Sequence, residues 1–302
     1  MKFFLKQRWL EQEVQRAVMD ADARADMPGQ LAALPHGHTH YQLDDPSDLP
    51  ILVCIHGWST ASYVWNQLRR DFLSERYRVL TYDLYGRGYS DRPDVDYSAA
   101  LFSTQLAELL EHLQLNTRRL TVVGYSMGGA IAARFVSERM QSVDRLLLIA
   151  PAGMRVRLPI VRGVSGAFPR TFGPAVSLAL RWLLLRSFQS AVDDFPNDPD
   201  VARVAACQTR ELSYRGYIRS LVSSLWGTLS EKMEREHCAI AGSDMPVRAL
   251  FAQKDILIPF RSAKKAFDRW HGHGKSYEMT GLKHELTYTN SDEVIEKIRD
   301  FL

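Results

Sequence analysis

Residues 120–133 read Leu120-Thr121-Val122-Val123-Gly124-Tyr125-Ser126-Met127-Gly128-Gly129-Ala130-Ile131-Ala132-Ala133. The opening run is apolar and partly β-branched, and the residues after Gly129 are mostly small and favour helix. The stretch therefore predicts a buried strand that turns sharply into a helix. Gly124, Ser126 and Gly128 match G-x-S-x-G. Glycines on both sides of the serine leave room for a tight, strained turn. Ser126 then stands at its apex, at a helix N-terminus whose free backbone N–H groups suit a developing negative charge. The plain alternative is a glycine-rich turn with an incidental serine. The strand before it and the helix after it favour a nucleophile.

Working outward, Ile51–Ile55, Tyr77–Tyr82, Val143–Ile149 and Val247–Ala252 also read as buried strands. A last strand is predicted over Lys275–Met279. Shorter β signals at Gln30–Leu34 and His38–Leu43 flank the turn residues Pro35 and Gly37. Helical patterns lie between the strands. The clearest is Phe102–Leu113, and Asp292–Leu302 closes the chain. Strand and helix in alternation imply βαβ units and a parallel sheet covered on both faces. The alternation stops at Pro151 and resumes after Gly242. Between them the reading is helical, broken into pieces by Pro159, Pro169, Pro174, Pro196 and Pro199. An excursion of about 90 residues is long enough to carry function rather than merely connect strands.

A serine hydroxyl is a weak nucleophile until a base takes its proton. In a sheet of this kind, the loops at the carboxyl ends of the strands share one edge. His284, in Gly281-Leu282-Lys283-His284, follows the last predicted strand and so belongs to the edge that carries Ser126. His271 and His273 precede that strand and His237 lies in the excursion, so these read as packing or surface histidines. Asp255 follows Val247–Ala252, whereas Ala150-Pro151-Ala152-Gly153 after the preceding strand offers no carboxylate. Asp255 is therefore the candidate to orient His284, and the order Ser126, Asp255, His284 suits a hydrolase of this architecture. Two donors for an oxyanion are predicted. They are the N–H of Met127, next to the serine, and that of Trp58, in His56-Gly57-Trp58-Ser59 after the first buried strand. His56 reads as a structural hydrogen-bonding residue.

The chain has 302 residues, 46% hydrophobic and 24% charged, with a net charge of +3. That is long enough for a sizeable core without a metal or disulfide staple, and too mildly basic to argue for nucleic acid. Cys54, Cys207 and Cys238 form no CxxC pair and read as free thiols, which suits a cytoplasmic location. His36, His38 and His40 would share one face of a strand. No cysteine or carboxylate obviously joins them, so no metal and no cofactor is expected. The sequence has no apolar run long enough to span a bilayer and no secretory signal.

Two stretches admit a lipid reading. Residues 1–29 are predicted as a helical extension, with Phe3, Phe4, Leu5 and Trp9 interleaved with Lys2, Lys6 and Arg8. This helix either packs on the main domain or makes a peripheral membrane contact. Residues 151–192 hold six arginines (Arg155, Arg157, Arg162, Arg170, Arg181, Arg186) and no acidic residue, among apolar side chains such as Phe168, Phe172, Trp182 and Leu183. They form either a lid that rests on lipid or a helical cap with a solvated basic face.

The chain resembles the α/β-hydrolase superfamily. The segments that carry the likeness are Ile51 to Trp65, Asp83 to Asp91, Gly124 to Gly129, Lys254 to Pro259 and Leu282 to His284, in the family's order. The resemblance implies an eight-stranded, mostly parallel sheet with helices on both faces and a helical cap inserted after the sixth strand. Residues 30–150 and 244–302 would form the core and 151–243 the cap. It implies a structural role for Gly86-Arg87-Gly88-Tyr89-Ser90. Serine at position 126 argues against relatives with an aspartate nucleophile, such as epoxide hydrolases. The expected activity is hydrolysis of a small-molecule ester or lipid-like substrate, as in carboxylesterases and monoacylglycerol lipases. Cleavage of carbon–carbon bonds on the same triad, or ligand binding on a hydrolase scaffold, are the alternatives.

Overall fold

A computed structural model describes residues 16–44, 48–116, 119–154, 168–272 and 275–302, without the side chains of residues 168–177 and 275. In chain order the elements are β1 (Gln30–Leu34), β2 (Gly37–Leu43), β3 (Ile51–Ile55), α1 (Asn66–Ser74), β4 (Arg78–Tyr82), α2 (Ala99–His112), β5 (Leu120–Tyr125), α3 (Met127–Glu138) and β6 (Val143–Ile149). Four helices follow: α4 (Phe168–Asp194), α5 (Pro199–Glu211), α6 (Tyr217–Trp226) and α7 (Glu234–Ala241). The chain then completes its core with β7 (Val247–Ala252), α8 (Phe260–His271), β8 (Lys275–Met279), α9 (Leu286–Thr289) and α10 (Ser291–Ile298).

The eight strands form one sheet in the order β1-β2-β4-β3-β5-β6-β7-β8. Strands β3 to β8 pair in parallel, while β2 runs antiparallel to both β1 and β4. The central strands β3, β5 and β7 are buried at every position. This is the reason their sequences are continuous apolar runs: a strand covered on both faces has no solvent side to alternate with. One apolar cluster packs α2 and α3 against one face of the sheet, and a second packs α1 and α10 against the other. Helices α4 to α7 lie between β6 and β7, in the segment expected to be a cap, and α7 packs on the core through Ile240 and a His237–His271 hydrogen bond to α8. A small cluster of its own, including Leu184, Phe188, Leu212, Tyr217, Ile218 and Leu221, holds α4, α5 and α6 together.

Two expectations differ from the structure. Residues 1–15, most of the predicted N-terminal helix, lie outside the described residues. Residues 16–29 are not α-helical and hold only a 3-10 turn at Asp22–Arg24. There the Ala17 carbonyl accepts the Arg215 N–H at 2.9 Å, so this segment is held extended against residues 214–215 by a contact distant in sequence. In the cap, α4 runs unbroken through Pro169 and Pro174, which were expected to split it. Pro169 stands in the opening turn, where its missing N–H has no partner to lose.

Candidate active site

Ser126 sits at the junction of β5 and α3 with φ 54° and ψ −120°, a left-handed conformation that costs a residue with a Cβ about 1–3 kcal/mol. The surroundings hold it there. The Ser126 N–H donates to Ile149 O (2.9 Å), and its carbonyl accepts Gly129 N–H (2.9 Å) and Ala152 N–H (2.8 Å). The flanking glycines are required by close approach. A Cβ at Gly124 would come 2.5 Å from Gly128 O, and one at Gly128 would come 2.1 Å from Ile55 O.

His284 reaches Ser126 from the loop after β8. Its Nε2 lies 2.8 Å from Ser126 Oγ and its Nδ1 lies 2.6 Å from Asp255 Oδ2. A carboxylate oxygen accepts, so the ring proton belongs on Nδ1 and Nε2 is free to accept from the serine hydroxyl. Asp255 is itself oriented: its Oδ1 accepts Leu257 N–H (2.8 Å) and Ile258 N–H (2.7 Å) in the turn after β7. Burial pulls the His284 pKa down, but the hydrogen bond and charge of Asp255 outweigh it, and the net shift is upward. The arrangement can pass a proton from Ser126 to His284 and hold the imidazolium that results.

Tyr125, the residue before the serine, also touches this group. Its hydroxyl donates to the His284 carbonyl (3.2 Å), and its ring lies 5.4 Å from the imidazole. Met127 opens α3, and neither its N–H nor that of Trp58 has an acceptor among the described residues. The Gly57–Trp58 segment passes beside the serine, since a Cβ at Gly57 would stand 3.3 Å from Ser126 Cβ. His56 is fully buried. Its Nδ1 donates to Gly57 O (2.9 Å), and its Nε2 accepts Leu84 N–H (2.9 Å). Burial lowers its pKa to about 4 against the nearby Asp83, so it stays neutral and shapes this loop.

The other histidines go elsewhere. His40 pairs with Asp83 (2.7 Å), and His38 contacts Asp91 (3.1 Å). His237 and His271 bond each other (2.9 Å), and His273 lies outside the described residues. Asp83 ties the loop at Gly86 and Gly88 to the turn after β3, accepting Tyr89 N–H (2.9 Å) from the first and Ser62 N–H (2.8 Å) from the second. Cys54, Cys207 and Cys238 are free. Among the described residues, no helix is long and apolar enough to cross a membrane.

A profile of the alpha/beta hydrolase family matches residues 52–296. A protein of Mycobacterium tuberculosis (strain ATCC 25618 / H37Rv), itself uncharacterised, is 26% identical over 238 residues, which are 72% of this chain and 65% of the relative. The chain thus matches just under two thirds of that protein's length. A pimeloyl-[acyl-carrier protein] methyl ester esterase of Vibrio atlanticus is 27% identical over 262 residues, covering 83% of this chain and 94% of the esterase. Among solved structures, the enol-lactonase of Burkholderia xenovorans LB400 superposes with a TM-score of 0.73 at 19% identity, over 90% of this chain and 99% of the lactonase. With four fifths of the chain under the family profile, and with this sheet order and elbow, the protein belongs to the alpha/beta hydrolase family.

Proposed function

We propose that this hydrolase cleaves carboxylic esters through an acyl-enzyme on Ser126. The observation that carries the reading is the unbroken hydrogen-bonded line from Ser126 Oγ through His284 to Asp255, with the serine on a strained turn at a helix N-terminus. Ser126 Oγ attacks the ester carbonyl while its proton moves to His284 Nε2. The N–H groups of Met127 and Trp58 hold the oxyanion. The tetrahedral adduct expels the alcohol, which takes the proton from His284. Water, deprotonated by the same nitrogen, then attacks the acyl-enzyme and releases the acid with Ser126 restored.

A neutral, lipid-like ester with a medium acyl chain is the proposed substrate class, admitted under residues 151–243 acting as a lid. The support is the outer face of α4, where Leu178 and Trp182 are more than half exposed and Leu183 is similar. The Arg186 guanidinium lies 4.7 Å from the centre of the Trp182 ring. Apolar side chains beside a cation suit peripheral contact with lipid.

The test is hydrolysis of p-nitrophenyl esters from acetate to palmitate, with and without detergent micelles. Turnover should pass through an optimum at intermediate chain length and vanish in Ser126→Ala, and micelles should raise the rate on longer chains. Folded protein that cleaves none of these esters overturns the esterase reading.

A further inference from the structure

The loop that would supply the second oxyanion donor has no ladder of its own. Residues 56–61 join β3 to a 3-10 turn, and three successive peptide planes in this loop are each pinned by one carbonyl. The Gly57 carbonyl accepts from His56 Nδ1 (2.9 Å), within the core. The Trp58 carbonyl accepts from Arg87 Nε (3.0 Å), and the same guanidinium donates through Nη2 to Ser224 Oγ of α6 (2.8 Å). The Ser59 carbonyl accepts from Tyr217 OH (3.0 Å) on α6 and from Gln208 Nε2 (3.2 Å) on α5. The indole of Trp58 adds a fourth tie, donating to Leu221 O of α6 (2.9 Å). Tyr217, Gln208, Ser224 and Arg87 are all buried. Burial also pushes the Tyr217 phenol well above its ordinary pKa of 10, so it remains a donor across the working pH range.

We propose that the cap sets the geometry of the oxyanion loop, with Tyr217 and Gln208 as positioning residues that hold the Ser59 carbonyl and so aim the Trp58 N–H at the reacting carbonyl. The inference rests on the ester-hydrolase reading for its catalytic consequence. A peptide plane is rigid, so the direction of one N–H is fixed by torsions on either side of it. The core anchors the plane before Trp58 Cα. The cap, directly and through Arg87, anchors the two planes after it. Releasing the third plane frees the torsions of Ser59, the residue that follows the donor. Cap position and transition-state stabilisation are then coupled: a site whose cap is displaced binds ester but stabilises its oxyanion poorly.

Tyr217→Phe keeps the ring and removes one donor, and Gln208→Leu removes the other. The readout is kcat/KM for a p-nitrophenyl ester and for its thiono analogue, in which sulfur replaces the carbonyl oxygen and fits an oxyanion site badly. Tyr217→Phe should lower the value for the oxygen ester about tenfold, the scale of a small misplacement of a catalytic group. It should lower the value for the thiono ester much less, so that the oxygen-to-sulfur preference narrows about fivefold. Loss of folded enzyme would reduce both alike and leave the ratio unchanged. Amide hydrogen exchange supplies a second readout that needs no turnover. Residues 57–60 should exchange faster in each variant while residues 124–129 keep the wild-type rate. An unchanged ratio in active variants, or unchanged exchange at 57–60, overturns the proposal. If the wild-type protein cleaves neither ester, the ester-hydrolase reading fails, and exchange alone decides whether the cap holds this loop.

Discussion

Among the described residues two histidine–aspartate pairs are buried, and one partner separates them. In both, histidine Nδ1 meets aspartate Oδ2, at 2.6 Å in His284–Asp255 and 2.7 Å in His40–Asp83. In both, burial pulls the imidazole pKa down and the neighbouring carboxylate overrides it. The second ring nitrogen differs. His284 Nε2 faces the Ser126 hydroxyl, which can donate, whereas His40 Nε2 faces the Pro28 carbonyl, which can only accept. An imidazole between two acceptors satisfies both only when doubly protonated. This geometry favours the imidazolium of His40, bonded to Asp83 and with no lone pair to offer. His284, between a carboxylate and a hydroxyl, keeps an accepting nitrogen. The same pair of side chains makes a clamp in one place and a candidate base in the other, and the third group decides which.

The sharpest way to break this comparison is to neutralise each aspartate. Asp255→Asn leaves the fold in place but offers His284 an amide that can favour the wrong tautomer, so kcat should fall about 10⁴-fold with the unfolding midpoint near wild type. Asp83→Asn strips the charge from a buried pair and should cost about 3–5 kcal/mol of stability, while turnover per folded molecule falls far less than in Asp255→Asn. Denaturant unfolding and active-site titration on both variants decide it. Equal losses of activity in the two would end the distinction between clamp and base.

Proton linkage separates the pairs next. His40 has its folded pKa raised above the ordinary 6.5, so its contribution is complete below pH 6.5 and is lost as pH rises through the folded value. Burial pushes the Asp83 carboxyl up, but His40, His56 and the Ser62 N–H bring it well below the ordinary 3.8. Its contribution is complete above pH 3.8 and is lost in stronger acid. The stability gap between wild type and Asp83→Asn should therefore be widest between about pH 4 and 6.5 and narrow on the alkaline side. For His284 the readout is rate. Its neutral form is the one that accepts, so kcat/KM should rise with pH through a midpoint above 6.5, and Asp255→Asn should move that midpoint down.

The two pairs were not equally legible in the sequence. Ser126, Asp255 and His284 could be proposed as partners because each follows a strand written as a plain β signal, and strand ends of a parallel sheet share an edge. Strands β3, β5, β6, β7 and β8 fall where the apolar runs and turn residues put them. The clamp left no such trace: His40 looked like one of three alternating histidines, and its carboxylate lies 43 residues away, after β4. Tyr125 meets a carbonyl 159 residues further on, which no local pattern announces. The extended chain at Ala17 is a tertiary outcome that overrides local preference.

A third histidine pair carries the comparison to its limit, because it has no carboxylate. His237 on α7 and His271 on α8 share one hydrogen bond (2.9 Å) beneath Trp270, which stacks on His237 at 5.5 Å. Among the described residues His237 Nε2 has no hydrogen-bond partner. Burial alone lowers the pKa of His271 to about 4. Burial, aided by the neighbouring imidazole, lowers that of His237 to about 3. The sign reverses relative to His40. Both rings are neutral in the folded protein down to pH values at which the unfolded chain already takes up protons, so this pair weakens the fold as pH falls below 6.5. At pH 5 the linkage for one buried neutral histidine is about 2 kcal/mol. His237→Leu should therefore be about neutral at pH 8 and gain about 2 kcal/mol over wild type at pH 5, read from denaturant midpoints at the two pH values. A variant whose gain is the same at both would mean that His237 is protonated in the folded state. The carboxylate would then not be what separates a buried histidine that stabilises the fold in acid from one that opposes it.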